Sequence, residues 1–299
     1  FSVLVIQLNN NNGENKMLNT NNLITSHLTD DLMFNVAYEK TRVHGKKYVI
    51  DTSRDKAIAV VGNSFNCASH YELLKTVEDV ISKGRTPFEL SDAKVKISKA
   101  RDNAVIIADV TLPNVNTTVT TNLMNTTICE RIIVTHGVDG TMSNQVWFGA
   151  IDSWCSNGQV IGEHSKHMKK NTRRFSTEIL SVELEESRQN FYENSERLNA
   201  WAKIKLDGVE VKDIIAKIVK SDRKAEKMNS LYLNEVGNRG DNLFSLYSAF
   251  TNYSSYADER NGFKLKEMGN DTESISMWNR ELEVSKWISS KEFKELEVA

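Results

Sequence analysis

Residues 129–175 read CERIIVTHGVDGTMSNQVWFGAIDSWCSNGQVIGEHSKHMKKNTRRF, and their reading decides the fold. Two β-prone runs, Ile132-Ile133-Val134 and Val146-Trp147-Phe148, flank the turn Gly137-Val138-Asp139-Gly140. Branched and aromatic runs on either side of a short turn containing Asp-Gly predict an antiparallel hairpin. A second turn, Ser156-Asn157-Gly158, follows Trp154-Cys155. The chain then becomes basic: Lys166, Lys169, Lys170, Arg173 and Arg174 face one nearby acid, Glu163. Rings on a sheet beside a cationic segment are the two parts that single-stranded nucleic acid needs, since bases stack on rings and phosphates pair with cations. Taken singly, strand aromatics are more often core and a cation cluster is more often a solvated face. It is their adjacency that raises the binding reading.

Upstream, residues 17–45 read as a polar lead-in. Thr29-Asp30-Asp31 is placed to cap a short helix through Phe34 and Tyr38. Residues 46–62 read as strand, turn, strand, with Tyr48 on the first strand and Ser53-Arg54-Asp55 at the turn. Ser69 followed by Glu72 is a capping-box spacing, and Leu73, Leu74, Val77, Val80 and Ile81 continue at helical period to Lys83-Gly84. Lys94 and Lys96 alternate with Val95 and Ile97, which puts cations on one face of a strand; with Arg101 they are a second candidate for phosphate contact. Asp102-Asn103 turns the chain into the apolar run Ala104–Val110. The Thr- and Asn-rich residues 114–127 fit either a strand with two solvent faces or a mobile loop.

From Thr177 the period becomes helical: one or two helices through Ile179, Val182, Leu184, Phe191, Leu198 and Trp201, a helix over Val209–Val219, an aromatic helix over Leu243–Tyr256, and final helices carrying Trp278, Trp287 and Phe293. Strands first and helices after predict an α+β protein. The sheet is expected to be antiparallel or a partly open barrel, OB-like or annealing-protein-like, with one inserted helix. The expected divisions are a lead-in over 1–40, a β-rich binding part over 41–176 and a helical part over 177–299.

The chain has 299 residues and a net charge of −2, with the small positive balance in the first part and the negative one in the second. No apolar run is long enough for a membrane helix. Three cysteines without CxxC spacing suit a reducing compartment, so a host cytoplasm is expected. The opening FSVLVIQL lacks the marks of a signal peptide; Met17 as a start and residues 1–16 as an added edge strand are both open readings. No Walker, GxGxxG, HExxH or GxSxG pattern occurs, so neither an enzyme nor a cofactor is expected. His164 and His167 lack a third ligand at a known zinc spacing, and the Asp-Gly turn explains Asp139 without catalysis beside His136.

The stretch THGVDGTMSNQVWFGAIDSWCSNGQV resembles the central motif of a phage- and plasmid-borne family of uncharacterised proteins, with His136, Asp139, Gly140, Cys155, Asn157, Gly158 and His167 on its pattern. Thr135 replaces the usual Ser, and Val138 is inserted before Asp139. Val49–Ile81 resembles that family's strand-to-helix entry with Phe65 in a Tyr place, and Asn242–Tyr256 its late aromatic helix with Phe244 in a Trp place. The similarity covers about residues 40–260. It implies carriage among replication and recombination genes. The expected function is therefore a phage single-stranded DNA-binding protein, with strand annealing as an extension and phage replication proteins as further partners. Its phosphate contacts would be Lys94, Lys96, Arg101, Lys166, Lys169, Lys170, Arg173 and Arg174, and its stacking rings would come from Tyr48, Phe65, Trp147, Phe148 and Trp154. A host-takeover module using the acidic helical half is the alternative, and a metal-dependent enzyme using His136, Asp139, His164 and His167 is the third reading.

Overall fold

The computed structural model describes residues 23–152, 158–159, 166–169, 177–256, 259–260, 263–264 and 271–298. The expected hairpin forms: Ile132 pairs with Phe148 and Val134 with Val146. Its strands, β6 (Asn125–Gly137) and β7 (Asn144–Asp152), are central in the larger of two main sheets. Ahead of them come β4 (Lys94–Ala100) and β5 (Val105–Thr120), giving the antiparallel order β4-β5-β6-β7. Two short segments, β8 (Gly158–Gln159) and β9 (Lys166–Lys169), both pair with β7.

Residues 114–127 are mostly strand: 114–120 are the far half of β5 and 125–127 the start of β6, joined by a turn at 121–124, and Val115 and Val119 are buried. Pro113 cannot donate to a ladder, and the register shifts between Leu112 and Asn116 to accommodate it.

The smaller sheet is an antiparallel meander of β1 (Val36–Lys40), β2 (Lys46–Asp51) and β3 (Lys56–Gly62). The helix expected through Phe34 and Tyr38 is only a 3-10 turn at Asp30–Leu32, after which Val36 begins β1. The two main sheets are open, and the described residues contain no closed barrel. The α+β class with antiparallel sheets and C-terminal helices holds.

Between β3 and β4 in the chain comes α1 (His70–Gly84), with Ser69 and Glu72 forming the expected capping box. A single turn, α2 (Pro87–Leu90), precedes β4. The helical part comprises α3 (Thr177–Trp201), α4 (Val211–Val219), α5 (Asp222–Arg239), α6 (Leu243–Tyr256), α7 (Asp271–Ile288) and α8 (Lys291–Leu296); a short ribbon, β10 (Glu259–Arg260) with β11 (Phe263–Lys264), lies between α6 and α7. No helix among the described residues is long and apolar enough to cross a membrane.

Both faces of the large sheet are covered. Val110, Ile132, Val134 and Phe148 point to one face, where they share a core with Leu74 and Val77 of α1 and Leu184 and Phe191 of α3. Ile107, Ile133 and Trp147 point to the other, where α7 brings Trp278 edge-on to Trp147 at 5.0 Å between ring centroids. The main core runs from α1 through the sheet to α8 and crosses residue 176 without a break.

Candidate functional site

The three-stranded sheet has one packed face and one open face. Tyr38, Val49 and Ala59 share a row on the packed side, and Val49 is fully buried there. Glu39, Tyr48 and Val60 share a row on the other, where Tyr48 is 37% and Val60 54% exposed. The β1–β2 loop carries Lys40, Arg42, His44 and Lys46, all exposed. It is held by Thr41, whose hydroxyl donates to the carbonyls of Val43 (3.0 Å) and Lys46 (3.2 Å), and by Gly45 at φ +74°, a conformation that favours glycine. Lys47 lies over the Tyr38 ring, 3.8 Å from its centroid. Among the described residues no carboxylate pairs with Lys40, Arg42 or Lys46. This end of the sheet is therefore a cationic tip beside an exposed phenol ring.

The opposite end is clamped to the large sheet through the β4–β5 turn. Arg101, Asp102 and Asn103 are three consecutive left-handed residues, with φ of 54°, 54° and 67°. Each such residue costs on the order of 1 kcal/mol, and surrounding bonds must hold it. Asp102 accepts from Arg54 at 3.0 Å and from Lys56, both on the small sheet's second turn and third strand. Those two cations hold the Asp102 carboxyl below its usual range. Burial works to raise the Asp51 carboxyl, but hydrogen bonds from Ser53 and Arg54 (2.5 Å) bring it below the usual range. Asn103 donates to Asp31 at 2.7 Å, and Asp31 is held down to about 2, chiefly by Lys99.

Behind this turn two histidines meet. His70 Nε2 donates to the Asn103 carbonyl at 2.8 Å, which leaves His70 Nδ1 as an acceptor; His136 Nδ1 donates to it at 2.7 Å. Both rings are buried. His136 Nε2 is buried too, with no hydrogen-bond partner. Burial pushes His70 down to about 4; burial and then the neighbouring ring push His136 well below the ordinary value. Asp139, the partner considered for His136 in a catalytic pair, instead accepts from the Thr141 amide (2.9 Å) and hydroxyl (2.6 Å) and lies 3.7 Å from Arg101. No group of three or more metal-ligating side chains occurs among the described residues.

The sequence candidates divide. Trp147 and Phe148 are 6% and 7% exposed, so burial on opposite sheet faces removes both from the stacking rings. Phe65 is half-buried against Phe34, Cys67 and Val138. Arg101 is committed to Asp139. Lys94 and Lys96 are exposed on β4, the edge strand of the large sheet. Tyr48 is exposed. Lys166 and Lys169 open and close β9, in register with Trp147 and Asn144. Lys170, Arg173, Arg174, Trp154, Cys155 and His164 lie outside the described residues. Sequence reasoning passes over the cationic β1–β2 tip, although KTRVHGKK between Tyr38 and Tyr48 carries the signal: a His-Gly turn flanked by cations.

A family model described as "Domain of unknown function (DUF932)" matches residues 57–278, from β3 into α7. The histidine pair lies inside the matched span and the basic tip before it. No curated protein and no solved structure matches the chain.

Proposed function

The chain belongs to the DUF932 family, and we propose that it is a single-stranded DNA-binding protein that binds through the cationic β1–β2 end of the three-stranded sheet. The observation that carries this reading is the cluster of Lys40, Arg42 and Lys46, without a carboxylate partner among the described residues, beside exposed Tyr48. Such cations are available to phosphates, and a half-free phenol ring on a sheet offers a base a flat surface. A productive stack contributes about 1–3 kcal/mol. The basic residues 166–174 and the β4 lysines extend the same reading, with strand annealing and a place in phage replication or recombination as its wider form.

A second reading has an observation of its own. Val43 and Val60 flank the same surface, 60% and 54% exposed, and suit a protein partner better than a phosphate chain. Fluorescence anisotropy separates the two. Labelled oligo-dT and a matched duplex are titrated at two salt concentrations with the wild type and with the triple variant Lys40→Ser, Arg42→Ser, Lys46→Ser. Salt-sensitive preference for the single strand, weakened in the variant, supports nucleic-acid binding. No binding to either oligonucleotide at low salt overturns it and leaves the protein-partner reading.

A further inference from the structure

The His70–His136 pair sits where the two sheets are joined, and while both rings are neutral its hydrogen bonds fix where the protons are. The Asn103 carbonyl can only accept, so His70 carries its proton on Nε2; its Nδ1 can then only accept, so His136 carries its proton on Nδ1. Both rings are neutral. Two positions remain for added protons: His136 Nε2, buried and unpartnered, and His70 Nδ1, now engaged as an acceptor. A proton on the first makes a buried imidazolium whose new N–H has no acceptor. A proton on the second sets two donors against each other unless His136 moves its own proton to Nε2, where the N–H has no acceptor; either route leaves the buried pair unsatisfied.

We propose that this pair is a proton-operated latch, closed while both rings are neutral and opened by proton uptake, which releases the β4–β5 turn and with it the three-stranded sheet from the large sheet.

The neighbouring charges do not offset protonation. Asp139 is near enough to favour a charged His70, but its carboxylate is shared between Thr141 and Arg101. Asp31 is taken by Lys99 and Asn103, Asp102 by Arg54 and Lys56, and Glu72 by the Ser69 amide. Tyr38 and Cys67 are bonded to one another, the Cys67 amide donating to the Tyr38 hydroxyl at 2.8 Å. His70 is also the first residue of α1, where the positive end of the helix dipole disfavours a cation. The edge of Phe34 closes that side, with ring centroids 5.4 Å apart. The released segment is specific: the small sheet is held by Asp102 and by the small cluster of Phe34, Phe65, Ala104 and Val138, while α5 and α6 belong to the main core that the large sheet shares with the helices.

The test needs no nucleic acid, so its failure and that of the binding proposal are independent. Histidine nitrogen NMR at pH 7.5 reads the tautomers: His70 protonated on Nε2 and His136 on Nδ1. Hydrogen exchange is then followed from pH 7.5 to 5, corrected for intrinsic rates. The open state holds up to two more protons than the closed one, so its population rises by up to about a hundredfold per pH unit below the ordinary histidine range. The expected result is loss of protection in β2 and β3 ahead of α5 and α6. Uniform loss, or rings that titrate near 6.5 with no change in exchange, overturns the latch. Asp102→Asn, which leaves both rings in place, is expected to release the small sheet already at pH 7.5; unchanged protection there also counts against it.

Discussion

The interior arginines and the cations of the β1–β2 tip are the same chemistry put to opposite use. Arg131 is wholly enclosed, bonded to Asp109 at 2.5 Å and to Glu281 of α7 at 3.0 Å. On the opposite sheet face, one residue earlier in the chain, Glu130 takes Arg85 at 2.6 Å. Arg239 joins Asp152 (2.7 Å) to Glu235 (2.8 Å). Burial favours neutral Arg131, but Asp109 and Glu281 outweigh it and hold the guanidinium charged. Two carboxylates share that single cation, so burial still pushes Glu281 upward. Lys40, Arg42 and Lys46 face solvent instead. A charge count of the sequence weighs these two populations equally. Only the first fixes the fold, and only the second is free for a ligand.

The largest effect should come from breaking the first population. Arg131→Ala strands two carboxylates under α7, and removing one partner of a buried ion pair costs about 3–5 kcal/mol. Urea unfolding of wild type and variant measures it. A loss no larger than that of a surface substitution would mean the buried and free cations are not different in kind.

Next in size is acid. Folding holds His70 and His136 neutral, whereas the unfolded chain protonates both below about pH 6.5. The unfolded state then binds more protons, so stability is full above that pH and falls as pH drops toward the depressed folded value, by up to about 1.4 kcal/mol per pH unit for each ring. Unfolding midpoints from pH 7.5 to 4.5 should show that slope, and His136→Gln should remove its share. A flat profile over pH 6.5–5 would show that the rings are not held neutral.

How far these differences were legible depended on distance along the chain. The α1 cap needs only Ser69 and Glu72, and the β6–β7 hairpin only runs flanking one turn, so both were readable. Neighbouring strand residues normally face opposite environments, one wet. Here Trp147 and Phe148 are both dry because α7, far downstream, covers the second face. Nothing local to the strand announces that helix. The histidines are 66 residues apart and meet only once α1 lies beside β6. At the tip, Phe34 and Tyr38 are four apart and mimic a helix period, which hid β1 and the cations after it.

Smaller in free energy is the tip itself. The triple variant Lys40→Ser, Arg42→Ser, Lys46→Ser removes no ion pair made among the described residues, so its unfolding midpoint should match the wild type. If all three cations neutralise phosphates, the dependence of log affinity for oligo-dT on log salt should flatten by about 2, at about 0.7 for each phosphate left without its cation. An unchanged slope would detach the tip from binding and turn attention to residues 166–174.

The smallest effect is expected at Lys94 and Lys96, and it decides to which population they belong. They occupy the edge strand β4, exposed, in register with Thr111 and Asp109. An unpaired strand edge invites another chain, and lysines along it are a common way to prevent that. If that is their role, Lys94→Thr with Lys96→Thr leaves both the unfolding midpoint and the oligo-dT affinity unchanged but raises self-association, which light scattering after size-exclusion chromatography reports as a concentration-dependent mass. If oligonucleotide affinity falls while the mass stays monomeric, the two lysines act with the tip, and the binding surface reaches from the small sheet to the edge of the large one.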